Sequence, residues 1–332
     1  MRKLALRLTF VAATATAAAH AGSRAPEPVA TFSIAAADPE SGEVGVAVAS
    51  KFFAVGAVVP HVKAGAGAIA TQAYANTTYG PKGLELLASG MDPYDVLQRL
   101  TRDDDGRDRR QAGIVSARGD SATYTGRATS PWAGGRHGKN FAVQGNILTS
   151  EYVVAEMERA FRETKGDLAD KLYAALVAGD KKGGDSRGRQ SAAMVVARKG
   201  GGYGGFSDRY IDIRVDDHAS PVFELGRLLD IAHVNGLWNR AWTAFEGKRF
   251  DESRPIMERT VELAERSHSS VLAETWYDLA CIRGAAGAKD AGVAALGNAL
   301  AINPRLAKQA RADKDLDSLR QECGFSKLVG AE

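Results

Sequence analysis

The sequence predicts an α+β fold, a layered sandwich of strands and helices, followed by an all-helical region. Three observations carry that prediction. Short β-branched and small-residue runs come in pairs joined by turn residues, helical stretches also come in pairs, and from about His218 onward no strand pattern returns. Strand pairs alternating with helix pairs suit antiparallel sheets covered by helices, not a βαβ series.

Taken in chain order, "TFSIAAA" (31–37) and "EVGVAVAS" (43–50) flank "DPESG", whose Asp, Pro and Gly make a tight hairpin turn. "AVGAVVPHV" and "GAGAIATQAYA" give two further strands, with residues small enough for another layer or a substrate to approach the backbone. The stretch 81–108 reads as two helices broken at "SGMDP", where Asp92 caps the second. "RRQAGIVSARGDSATYTG" is a hairpin, its "RGD" read as a polar turn. "FAVQGNIL" is a strand, residues 149–184 hold two helices, and "QSAAMVVAR" and "RYIDIRVDD" are strands again.

The ends of the chain have their own signatures. "MRKLALRLTFVAATATAAAHA" joins an early basic cluster to an apolar, alanine-rich run with small residues at 19 and 21, the pattern of a signal peptide covering 1–21. Residues 22–30, "GSRAPEPVA", form a linker. The protein is therefore expected to be exported, to the periplasm or the medium, without stable membrane insertion, because the apolar run is too short to span a bilayer. In the tail, Trp276, Ala280, Leu296, Ala299 and Pro304 fall at offsets 0, 4, 20, 23 and 28, a spacing that resembles a tetratricopeptide repeat. Leu237, Ala241, Gly247, Phe250 and Thr260 look like a weaker copy. Such arrays need about three units to stand alone, so these helices are expected to lean on the first domain or on the last segment.

Composition excludes several function classes. The 332 residues carry 45% hydrophobic and 25% charged content, an ordinary globular balance for about two domains. The formal charge of +3 rests on Arg2, Lys3 and Arg7, so the chain beyond residue 21 is neutral and offers no global attraction for nucleic acid. Two cysteines, Cys281 and Cys323, are too few for a disulfide scaffold and read as packing residues. "DDH" at 216–218 is no metal cluster, because neighbours on a strand point to opposite faces. His61, His137, His233 and His268 show no ligand spacing in the sequence, and neither a metal nor another cofactor is expected.

Several distinctive motifs recur in a fixed order. "TFSIAAADPESGEVGVAVASKFFAVGAVVPHVKAGAGAIATQAYANTTYGPKGLELLASG", "FAVQGN", "GGDSRGRQSA" and "RYIDIRVDDH" together resemble the bacterial family known as domain of unknown function 1028, over about residues 31–229. That family is grouped with the Ntn hydrolases, which implies a four-layer αββα sandwich over 31–230 and leaves 231–332 as the tetratricopeptide-like helical domain. It also implies an amino-terminal nucleophile whose own α-amine, titrating near 8, accepts the hydroxyl proton.

Thr31 heads the first strand, where such a nucleophile belongs; read alone, it is equally a β-former opening a strand. It becomes amino-terminal either by a second cut at Ala30–Thr31 or by signal cleavage after "PVA". Counted from Thr31, Lys63 is the thirty-third residue, resembling the supporting lysine of proteasome-type members. Gln144 and Asn146 offer amide donors for an oxyanion. Gln72, Asn76 and Tyr79 are expected to line the same cleft, with Asp185 and Arg187 as an ion pair fixing the loop and Gln190 and Ser191 at the strand entrance as substrate contacts. The implied function is hydrolysis of a small peptide or non-peptide amide through Thr31. The competing expectation is a catalytically silent binding protein that uses the polar pocket and tail for a ligand or protein partner. A homo-oligomer is compatible with both.

Overall fold

The computed structural model describes residues 31–330, so the expected signal peptide and linker lie outside the described residues. Among the described residues, ten strands form two antiparallel sheets. β1 (Thr31–Asp38), β2 (Glu43–Ser50), β7 (Gly134–Gly138), β8 (Phe141–Asn146), β9 (Ser191–Ala197) and β10 (Arg209–Val215) assemble in the order β10-β9-β2-β1-β8-β7. The second sheet runs β3-β4-β5-β6, from Pro60–Lys63, Gly67–Ala73, Arg110–Ser116 and Ser121–Thr125. The predicted hairpin at 31–50 is present, with Thr31 paired to Ser50 and Asp38 to Glu43. β7, "GGRHG", carried no strand signal; its pairing with β8 supplies what its side chains do not.

Strand alternation builds the layers. On one face of the larger sheet Phe32, Ile34, Phe141, Val143 and Met194 pack with Met157 of α3 (Tyr152–Glu163) and Leu172 and Leu176 of α4 (Leu168–Lys181). On its other face Ala35, Val46, Val48 and Ala193 meet Ala68, Ala70 and Val115 of the smaller sheet. The smaller sheet turns Ile69 and Ile114 outward onto Leu84 of α1 (Tyr79–Ala88) and Val96 and Leu100 of α2 (Pro93–Arg102). Helices therefore cover both outer faces, and the inter-sheet layer is made of small and β-branched residues that let the sheets approach closely. As expected, Asp92 caps α2 by accepting a hydrogen bond from the Tyr94 amide at 2.8 Å.

The remainder is helical: α5 (Pro221–Glu246), α6 (Phe250–Arg266), α7 (Leu272–Ala285), α8 (Lys289–Ile302), α9 (Leu306–Ala312) and α10 (Phe325–Val329). Ala241, Ala280, Leu296 and Ala299, picked out by their spacing, are fully buried in one core with Met257, Leu316 and Leu319. The division expected between residues 230 and 231 falls inside α5. Val222, Leu225 and Leu229 of that helix pack on the larger sheet, while Trp238, Ala241 and Phe245 pack in the tail. No helix among the described residues is long and apolar enough to cross a membrane.

Candidate functional site

The inter-sheet layer changes character at one end. Register places Ser191, Ser50, Thr31 and Asn146 side by side across β9, β2, β1 and β8. One step inward the row is Val48, Ser33 and Gln144, and from there the layer becomes apolar. Gln72 and Gln111, paired across β4 and β5, face these rows from the opposite sheet. Thr31, Ser33, Gln72, Gln111, Gln144 and Ser191 are fully buried.

Burial of that many amides and hydroxyls is tolerable only where they bond to one another. Thr31 Oγ1 donates to Ser50 Oγ at 3.3 Å. Gln72 Nε2 donates to Gln111 Oε1 at 2.8 Å and to the Thr31 carbonyl at 3.3 Å. Ser33 Oγ donates to Gln72 Oε1 at 2.5 Å and accepts from Gln144 Nε2 at 2.6 Å. Asn146 Nδ2 donates to Gln111 Oε1 at 3.0 Å, and Gln111 Nε2 donates to the Gly145 carbonyl at 2.7 Å. Gln144 Oε1 is buried with no hydrogen-bond partner among the described residues. It lies against Gly113, where a Cβ would sit 1.8 Å from it, so β5 needs glycine at that point.

The loop "GGDSRGRQ" closes the end of the row. The Asp185 carboxylate accepts from the Lys51 amide at 2.9 Å, the Arg187 amide at 3.0 Å and the Arg187 guanidinium at 2.9 and 3.1 Å. The expected ion pair is present, with its acid buried and its base half-buried. Gln190 acts through its backbone, donating to the Ser50 carbonyl at 3.0 Å and accepting from His218 at 2.8 Å. Ser191 Oγ accepts from the Val55 amide at 3.1 Å and donates to the Phe52 carbonyl, which ties its hydroxyl to the 52–55 turn. On the helix-covered side of the larger sheet, the face opposite the Thr31 hydroxyl, the loop borders a cavity of about 230 Å³ lined by Phe32, Ala49, Asp185, Arg189 and Val222.

Three expected members lie elsewhere. Lys63 pairs with Gly67 at the far end of β4, about 17 Å from Gln72 at the ordinary rise per residue. It is exposed, and alternation with Val62, which packs between the sheets, turns it away from Thr31. The thirty-third-residue coincidence fails because the β3–β4 hairpin places that position at the wrong end of the sheet. Asn76 and Tyr79 converge instead on Asp104, donating to its Oδ2 at 3.0 and 2.9 Å. Arg110 Nε bonds the same oxygen at 2.9 Å. The guanidinium, with these hydrogen bonds, holds the Asp104 carboxyl far below the usual range, while burial and then Asp104 push the Tyr79 phenol up. This cluster borders a separate cavity of about 240 Å³ that includes Lys82 and Arg99. Arg110 and Gln111 are sequence neighbours on one strand, so they serve opposite faces of it.

Sequence reasoning missed Ser33, Ser50 and Gln111 in the buried row, and Asp104 and Arg110 in the second cluster. A signal for Ser33 existed: it is the residue two after Thr31 in an otherwise apolar strand. Asp104 had none, since it is one of three consecutive aspartates.

The arrangement resembles known proteins in sequence as well as shape. The profile of the family of unknown function DUF1028 matches residues 31–225. The chain belongs to the DUF1028 family. A crystal structure of a DUF1028 protein from Silicibacter pomeroyi is similar at 31% identity and a TM-score of 0.56, covering 61% of this chain and 89% of that one. No curated protein matches the chain. The buried row and the Asp185 loop of this DUF1028 protein both lie within the matched residues, whereas 226–332 lie beyond the family match.

Proposed function

We propose that this DUF1028 protein is an exported Ntn-hydrolase-like amidohydrolase with Thr31 as nucleophile, its tail a tetratricopeptide-like surface for a protein partner. The observation that carries the reading is the position of Thr31. It opens β1, central in the larger sheet, with its hydroxyl between the sheets and Ser50 and Asn146 on either side. The family match begins at the same residue.

Hydrolysis of the Ala30–Thr31 bond adds water and leaves a free α-amine on Thr31. Near neutral pH that amine is in part unprotonated and accepts the Oγ1 proton as the hydroxyl oxygen attacks a substrate carbonyl. The Nδ2 of Asn146, which spends one N–H on Gln111, is the amide donor available to the oxyanion, whereas both N–H groups of Gln144 are committed to the Ser33 hydroxyl and carbonyl. Collapse expels the amine product, which takes the proton back, and water then hydrolyses the ester on Thr31. Asp185 and Arg187 act as positioning residues that fix the loop at the end of the Thr31–Ser50 row.

A second reading, a silent sandwich that binds a ligand, is favoured by the complete burial and mutual hydrogen bonding of the row. Amino-terminal sequencing and intact mass of the exported protein separate the two. The expected start is Thr31, with turnover in an amide-substrate panel and none for Thr31→Ala. A persistent start at Gly22, or activity unchanged in Thr31→Ala, overturns the hydrolase reading.

A further inference from the structure

One group of metal-ligating side chains stands apart from the buried row. Asp167 is the N-cap of α4, Asp170 lies on that helix's first turn, and His233 comes from α5. Each offers one ligand atom within 4.8 Å of the others.

His233 Nε2 is 3.4 Å from Asp167 Oδ2, and its Nδ1 is 4.0 Å from Asp170 Oδ1. An ion held tetrahedrally by nitrogen and oxygen at about 2.0–2.2 Å separates its ligand atoms by roughly 3.3–3.6 Å, so the first pair already stands at the edge of such a tetrahedron.

Three further features point the same way. His233 Nε2 is buried and faces Asp167 Oδ2 without the alignment of a well-formed hydrogen bond. Asp167 divides its labour, with Oδ1 capping α4 by accepting from the Asp170 amide at 3.0 Å while Oδ2 is turned to the imidazole. No lysine or arginine among the described residues forms an ion pair with Asp167 or Asp170, although both carboxylates are half-withdrawn from solvent. Asp230, three residues before His233, adds a further negative charge to this face.

We propose that Asp167, Asp170 and His233 form a binding site for one divalent cation, zinc by the match of an imidazole and two carboxylates to its usual ligands. The cation neutralises the two carboxylates and fastens α5, the helix shared with the tail, to α4 of the sandwich. A fourth position is left for water or for Asp230. Sequence spacing conceals such a site because its histidine comes from a different helix, more than sixty residues downstream of the aspartates.

The test uses the exported full chain, untagged and stripped with chelator, titrated with zinc chloride and analysed for bound metal. One zinc per chain is expected, together with a rise in melting temperature on adding zinc. His233→Ala and Asp170→Asn should each weaken binding by at least about tenfold and abolish the zinc-dependent rise. Matched melting of wild type and variants in chelator shows that the variants fold; if His233→Ala does not, Asp170→Asn carries the test. No stoichiometric binding below about 100 μM zinc, or equal binding by either folded variant, overturns the proposal.

Discussion

At residue scale the decisive positions are those where a single atom is committed to the buried amide network. Gly113 is one, because its missing Cβ is the space that Gln144 Oε1 occupies. Gly113→Ala must displace the Gln144 amide from Ser33, and we expect a loss of about 1–3 kcal/mol of stability by chemical denaturation. On the hydrolase reading the same variant still matures to Thr31 but turns over amide substrates more slowly, since it disturbs the amide network next to the Thr31 row and leaves the nucleophile alone. Ser33 works by linkage: one hydroxyl both donates to Gln72 and accepts from Gln144, which joins the two sheets through a single oxygen.

At the scale of elements, the Asp185 loop and α7 show opposite uses of an acid withdrawn from solvent. Asp185 is ringed by the Lys51 and Arg187 amides and the Arg187 guanidinium, so its charge is satisfied and holds the loop. Asp278 on α7 accepts the Trp238 indole N–H at 2.7 Å, but burial pushes its carboxyl up from 3.8 to about 6. A carboxyl raised in the folded state binds its proton more tightly there than in the unfolded chain. That contribution is fully present below pH 4 and is lost as pH rises through 6. Asp278→Asn is therefore expected to flatten the dependence of melting temperature on pH between about 4 and 6.5, and to melt higher than wild type above pH 6. An unchanged pH profile would show that Asp278 is not coupled to folding.

Taken whole, the molecule hinges on α5. Its first half closes the core under the larger sheet with Val222, Leu225 and Leu229, and its second half presents Trp238, Ala241 and Phe245 to the tail. A chain ending at Ser220 leaves Met194, Ile211 and Val215 without those partners, and we expect it to be insoluble or to melt non-cooperatively. A chain ending at Glu246 keeps the sheet covered but bares the tail-facing stripe, so it should melt cooperatively and self-associate. Circular dichroism and light scattering distinguish these outcomes. Equal behaviour of the two truncations would show that α5 does not join the two cores.

Local chemistry explains which features the sequence announced. The β1–β2 hairpin was legible because "DPESG" dictates a turn and the flanking residues favour strands; the Asp92 cap was legible because capping is decided within one helical turn. The Asp185–Arg187 pair joins residues two apart, and its chemistry required no fold to bring it together. By contrast β7 exists only because β8 pairs with it, and Lys63 was misplaced because counting residues ignores where a hairpin turns. Gln111 meets Asn146 and Gln72 only through two different strand pairings and the facing of two sheets. By itself the sequence determined the α+β class, the run of strand and helix pairs, the family motifs and Thr31 as the head of the first strand. Tertiary structure alone decided which polar side chains share one buried row, that Asn76 and Tyr79 belong to a second cluster, and that His233 faces Asp167. Periodicity and turn chemistry are written within a few residues, whereas a site is made by register and layer packing across distances the chain does not encode locally.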